Sequence, residues 1–79
     1  MVIKILAFGI AKEIVGKQKL SLTVENKTTI SKLHLILRSK YKKLSTIPFL
    51  LSVNAVYAKD LTKLKDGDEV AIIPPTNGG

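Results

Sequence analysis

Apolar and polar residues alternate from the first strand-like segment. Val2, Lys4, Leu6 and Phe8 fall on one face of an extended chain, and Ile3, Ile5 and Ala7 fall on the other. Lys4 marks the first face as the solvent side, which turns Ile3 and Ile5 to the core and leaves Phe8 outside. Gly9 and Gly16 bracket IAKEIV, room for one or two helical turns. In KQKLSLTVEN, Leu20, Leu22 and Val24 alternate with Lys19, Ser21, Thr23 and Glu25, the pattern of a half-buried strand. Gly16-Lys17 between these segments predicts that the two strands pair as neighbours, with the short helical turn at their junction.

Thr28 and Thr29 offer a helix N-cap, because a threonine oxygen accepts from backbone N–H groups that the first turn leaves free. Ile30, Leu33, Leu37, Tyr41 and Leu44 follow at helical spacing, with Ile36 widening the stripe, so the pattern predicts a helix as far as Leu44. Lys40, Lys42 and Lys43 cluster where the negative end of the helix dipole favours cations, and Pro48 lies beyond. Residues 50–57 read as a strand or two short ones, with a turn at Asn54-Ala55. Lys65-Asp66-Gly67-Asp68 is a second turn that feeds a last strand, Glu69 to Ile73. Glu69 marks the outer face of that strand, so Ile73 points outward as Phe8 does. A first and last strand paired side by side would group these two apolar residues in the open, which marks an interaction site. The order strand, strand, helix, strand or strands, strand predicts an α+β fold, the ubiquitin-like β-grasp. One main helix would lie across one face of a four- or five-stranded mixed sheet, burying Ile3, Ile5, Leu22, Leu33, Leu37 and Val70 together.

Composition narrows the class. At 79 residues the chain holds one small domain, and its 46% hydrophobic and 24% charged residues describe a globular protein. A domain of this size buries only about 60% of its extended surface. With no cysteine and one histidine, disulfide staples, thiol chemistry and His/Cys metal sites are excluded. No apolar run approaches the ~20 residues that cross a membrane, and MVIKILAFGIAK is too interrupted for a signal peptide. The expectation is a soluble, cytoplasmic domain without membrane partners. Lys and Arg total 13 against 6 acids, a formal charge of +7. The charge is uneven: residues 1–43 carry ten cations and two acids, and residues 44–79 carry three and four. Phe8, Tyr41, Phe49 and Tyr57 are the aromatics, with no aromatic-basic motif of the RNA-binding kind, so a solvated basic face is favoured over a nucleic-acid site. His34 lies beside the helical stripe as a surface or boundary residue. Asp66, Asp68 and Glu69 read as a turn rather than a cation site, free to meet basic residues of a partner.

The chain ends Pro74-Pro75-Thr76-Asn77-Gly78-Gly79. The prolines stop the last strand and start an extended segment, and the terminal glycines have no side chain to bury. This divides the chain into a domain over residues 1–75 and a flexible tail over residues 76–79. A carboxylate that must enter an enzyme's narrow channel needs no Cβ in its last positions. As a poor electrophile it must first be activated, for which an ATP-dependent acyl-adenylate is the usual route.

The run Asp66-Gly67-Asp68-Glu69-Val70-Ala71-Ile72-Ile73-Pro74-Pro75, followed by Gly78-Gly79, resembles the small subunits of molybdopterin synthase, the MoaD/ThiS-like sulfur carriers. The likeness covers the whole chain: Lys12-Glu13 and Gly16 resemble the family's RE-x-x-G-like turn with lysine for arginine, and Ser52-Val53-Asn54 resembles its AVN segment. Asn77 stands where small residues are frequent. The resemblance implies a sulfur carrier that is not catalytic alone and binds no cofactor itself. An adenylating enzyme would use ATP on the carboxylate of Gly79, next to Gly78, and a sulfur donor protein would convert it to a thiocarboxylate. The large synthase subunit would then receive the tail, Pro74, Pro75, Thr76 and Asn77 included, and the sulfur would pass to cyclic pyranopterin monophosphate to build the molybdopterin dithiolene. It also implies a partner-contact patch at Phe8, Tyr57 and Ile73. The competing functions are a ubiquitin-like protein modifier or a thiamin-pathway sulfur carrier using the same Gly-Gly end, and a small basic β-grasp that binds RNA or nucleotides.

Overall fold

A computed structural model describes residues 1–74. Strand β1 (Val2–Ala7) leads through helix α1 (Gly9–Val15) to strand β2 (Lys19–Thr23), then to helix α2 (Ile30–Lys40) and a 3-10 turn (Lys42–Thr46). Strands β3 (Leu50–Val53), β4 (Val56–Tyr57) and β5 (Glu69–Ile73) complete the order. Among the described residues five strands form one mixed sheet in the order β2-β1-β5-β3-β4. β1 pairs antiparallel with β2 and parallel with β5, and β5 pairs antiparallel with β3. This is the ubiquitin-like β-grasp. No helix among the described residues is long and apolar enough to cross a membrane.

The alternation in β1 sets the layers. Ile3, Ile5 and Ala7 are buried on the side of α2, whereas Val2 and Lys4 are exposed on the other. Ile3, Ile5, Leu33, Leu37, Leu44, Val70 and Ile72 are the largest fully buried side chains. Of the six side chains expected to share the core, five are buried. Leu22 is half-buried against the same cluster, because β2 is an edge strand. Helix α1 stops at Gly16, whose φ of 87° is a left-handed conformation open to glycine, and whose N–H donates to the Lys12 carbonyl at 2.8 Å. Thr29 is the N-cap of α2, its hydroxyl accepting from the Lys32 N–H at 3.2 Å.

The helix ends earlier than the hydrophobic spacing predicts. At Tyr41 the backbone turns extended (φ −121°, ψ 92°), and the chain re-enters a 3-10 turn that still buries Leu44. The hydroxyls of Ser45 and Thr46 bond the carbonyls of Lys42 and Lys43, a local bond that competes with continued helix. A tight turn and an α-helix both bring residue 44 back over residue 41, so the same stripe fits either.

His34 is half-buried. Its ring stacks on Phe49 with centroids 4.0 Å apart and planes within 1°, and its Nε2 donates to the Phe49 carbonyl oxygen at 3.1 Å. This contact ties α2 to the segment entering β3.

Leu37→Ala removes a fully buried side chain and should cost about 2–5 kcal/mol of unfolding free energy. Leu35→Ala, two residues away on the exposed face, should change it by less than about 0.5 kcal/mol. Urea titrations of both variants measure the contrast.

Candidate docking groove and C-terminal corner

The face of the sheet that carries no helix is built by register. Lys4 pairs with Glu69, Leu6 with Ala71 and Ala7 with Ile72 along the parallel β1–β5 ladder. Phe8 and Ile73 therefore follow at the same end. On the other side of β5, Ile73 faces Leu50 and Ala71 faces Ser52, and Ser52 in turn faces Tyr57. A groove of about 360 Å³ runs over this surface, lined chiefly by Leu6, Phe8, Ser52, Tyr57, Ala71 and Ile73. Phe8 is 44% and Tyr57 65% exposed, Leu50 is 60% exposed beside them, and Ile73 is half-buried. Toward the start of β1 the same face becomes charged, with Lys4 and Glu69 side by side.

Pro74, the last described residue, is half-buried at the Phe8 end of the groove. Its Cγ lies 3.6 Å from where a Cβ on Gly9 would sit. Gly9 has a φ of +56°, the bend that lets β1 pass directly into α1 and Phe8 swing out as its N-cap. The structure thus brings Phe8, Ile73 and Pro74 to one end of the open face, with Tyr57 across the same groove opposite Ser52. Pro75, Thr76, Asn77, Gly78 and Gly79, the rest of the expected site, lie outside the described residues, as does the expected boundary between residues 75 and 76.

The acids of the Asp66-Gly67-Asp68 turn bond the protein itself. Asp66 Oδ1 accepts from the Val2 N–H at 2.7 Å. Asp68 accepts from Asn54 Nδ2 at 3.1 Å and from the Lys65 N–H at 2.7 Å. Among the described residues no group of three or more His, Cys, Asp or Glu is placed to hold a metal ion.

Beside the groove, paired with Ile73, stands an exposed leucine that sequence reasoning did not assign. Leu50 and Leu51 are adjacent and both apolar, and the one polar residue on the face of Leu50, Ser52, is itself buried and so a weak marker; the structure buries Leu51 and exposes Leu50. A charge marker of the kind Lys4 provides in β1 would have decided it.

Comparison with known proteins adds a lineage to this geometry. The model of the ThiS family matches residues 5–79. A molybdopterin synthase sulfur carrier subunit of Chlamydomonas reinhardtii is 40% identical over 86 residues, spanning all of both chains. The subunit of the same name from Caenorhabditis briggsae is 36% identical, over 98% of this chain and 96% of its own. Solved structures share the fold as well. The crystal structure of small archaeal modifier protein 1 from Haloferax volcanii has a TM-score of 0.82 at 19% identity, over 95% of this chain and 98% of its own. A chain of the complex of subunits 1 and 2 of the molybdopterin-converting factor from Helicobacter pylori has 0.69 at 24%, over all of both chains.

Gly9→Ala places a side chain on a left-handed backbone and should destabilise the fold by about 1–2 kcal/mol. The added methyl meets Pro74 at an ordinary contact distance, so the cost is conformational and should appear in equilibrium unfolding.

Proposed function

The chain belongs to the ThiS family, and from that membership we propose that it is the sulfur-carrier small subunit of a molybdopterin synthase. The observation that carries the proposal is the end-to-end relationship to two sulfur carrier subunits at 36% and 40% identity. The exposed apolar groove supports it, as does the position of Pro74 at the groove's end.

In this function the domain over residues 1–75 is a handle and residues 76–79 are the working arm. An activating enzyme in the cytoplasm uses ATP to adenylate the Gly79 carboxylate, with release of pyrophosphate. Sulfide-level sulfur, freed from the donor by a thiol reductant, then attacks the carbonyl carbon, expels AMP and leaves a thiocarboxylate. The large synthase subunit covers the Phe8–Tyr57–Ile73 groove and takes the arm into its own active site, where the sulfur passes to cyclic pyranopterin monophosphate. Gly78 and Gly79 keep bulk away from the carbonyl carbon that each nucleophile must approach. The chain contributes the sulfur and the docking surface, and its two enzyme partners contribute catalysis.

Reconstitution with the cognate activating enzyme, ATP and a sulfur source tests the first half by intact mass, read as replacement of one oxygen by sulfur. Deleting Gly78-Gly79 should abolish that shift and all molybdopterin formation. Adding one residue after Gly79 should do the same, because the carboxylate moves by roughly 3.5 Å, and a misplacement of about 1 Å already costs on the order of 100-fold. Among the described residues every core side chain lies at or before Ile72, and melting of the deletion variant should be unchanged. Molybdopterin formation by either tail variant would refute the proposal.

Phe8→Asp tests the groove. Phe8 is the N-cap of α1 and makes no side-chain capping bond, and aspartate is among the best N-cap residues. The substitution should therefore preserve or raise stability. It should weaken association with the large subunit by more than about tenfold, as loss of a hot-spot contact near 2 kcal/mol does. Calorimetric titration measures the binding and thermal unfolding the fold.

A further inference from the structure

Tyr57 is shared by two surfaces. One is the apolar groove. The other is a shallow basin of about 430 Å³ on the far side of the β3–β4 hairpin, lined by Asn54, Lys59, Thr62, Lys63 and Lys65 together with Tyr57. All three lysines are exposed. Asp68 is the one acid in the lining, and its two carboxylate oxygens accept from Asn54 Nδ2 and the Lys65 N–H.

The backbone beneath the basin is held on several sides. The first N–H groups of α2 have no partner within the helix. Two of them, on Ile30 and Ser31, donate to the carbonyls of Thr62 and Asp60, both at 2.9 Å. The Leu64 N–H donates to the Thr28 carbonyl at 2.8 Å, and the Thr62 N–H closes a turn on the Lys59 carbonyl at 3.0 Å. Leu64 itself is buried in the core. The lysine stems thus rise from a fixed backbone frame beside the groove.

We infer that this lysine basin is a second contact area of the docking surface, which receives an acidic loop of the same partner that covers the Phe8–Tyr57–Ile73 groove. The inference rests on the proposed role of the groove. Two observations carry it: the basin shares Tyr57 with the groove, and its charged lining residues are three cations to one internally bonded acid. The division of labour follows from physics. Apolar contact in the groove sets how long the complex lasts. Charge at the rim steers the encounter and fixes its orientation, so it acts mainly on the association rate.

The test is stopped-flow association of the intact chain with the purified cognate large synthase subunit across a range of ionic strength. The triple variant Lys59→Glu, Lys63→Glu and Lys65→Glu should associate about tenfold or more slowly at low salt, with a flattened salt dependence and a nearly unchanged dissociation rate. The triple alanine variant at the same positions should fall between it and the parent, and supplies the same reading if the glutamates disturb folding. Lys40→Glu, Lys42→Glu and Lys43→Glu make the same change in net charge at the end of α2, and should slow association far less. Equal slowing by the two glutamate sets would assign the effect to overall charge and overturn the basin. So would a basin variant as fast as the parent, while Phe8→Asp still weakens the complex. A parent chain that does not bind the large subunit at all would instead overturn the proposed function, and the basin with it.

Discussion

The parallel pairing of β1 with β5 is the contact on which the rest of the molecule is arranged, and it is started by main-chain bonds at the acidic turn. The Gly67 N–H donates to the Val2 carbonyl at 2.8 Å, the Val2 N–H to Asp66 Oδ1 at 2.7 Å, and the Lys4 N–H to the Asp68 carbonyl at 2.9 Å. Together they set the register that runs from Lys4–Glu69 to Ala7–Ile72. A slip of one residue would exchange the faces of β5, turning Val70 and Ile72 out of the core and Ile73 into it. Asn54 reinforces the same turn from β3 by accepting from the Glu69 N–H at 3.0 Å. Three strands are thus locked at one end of the sheet, and the groove runs from there along β5 toward Phe8, Ile73 and Pro74 at the other.

A chain this short gains from using its sheet asymmetrically. One face is spent on the single core against α2, where the wholly buried side chains gather. The other is left to outside contacts, and its apolar residues cluster at the Phe8 end instead of being scattered. Large apolar side chains grouped in the open cost solubility unless something covers them, and the surplus of lysine elsewhere offsets that cost.

Much of this was legible in the residues. Lys4 and Glu69, each at the start of its alternation, assigned the faces of β1 and β5 and so placed Phe8 and Ile73 together on the outside. The two glycines bracketed α1, and the Thr29 cap marked where α2 begins. What stayed hidden depends on bonds that side-chain pattern does not encode. The loop from Ala58 to Leu64 is held by carbonyls that meet the first N–H groups of α2, and main-chain carbonyls are the same in every sequence. The stack of His34 on Phe49 joins residues fifteen positions apart, one of them read only as a boundary residue. The end of α2 escaped because the spacing of Tyr41 and Leu44 suits two kinds of helix. Leu50 escaped because its neighbour Leu51 is identical to it.

The strand order has a consequence in time. β5 is the central strand, bonded to β1 on one side and β3 on the other, yet of the five described strands it is the last in the chain. Until it has emerged, β1 and β3 have no common neighbour and the sheet is two separate fragments. Closing it requires residues more than sixty apart in sequence to meet, as Val2 and Asp66 do, the kind of distant pairing that slows folding. Without β5 the apolar sides of β1 and α2 lack the strand whose Val70 and Ile72 complete the core between them.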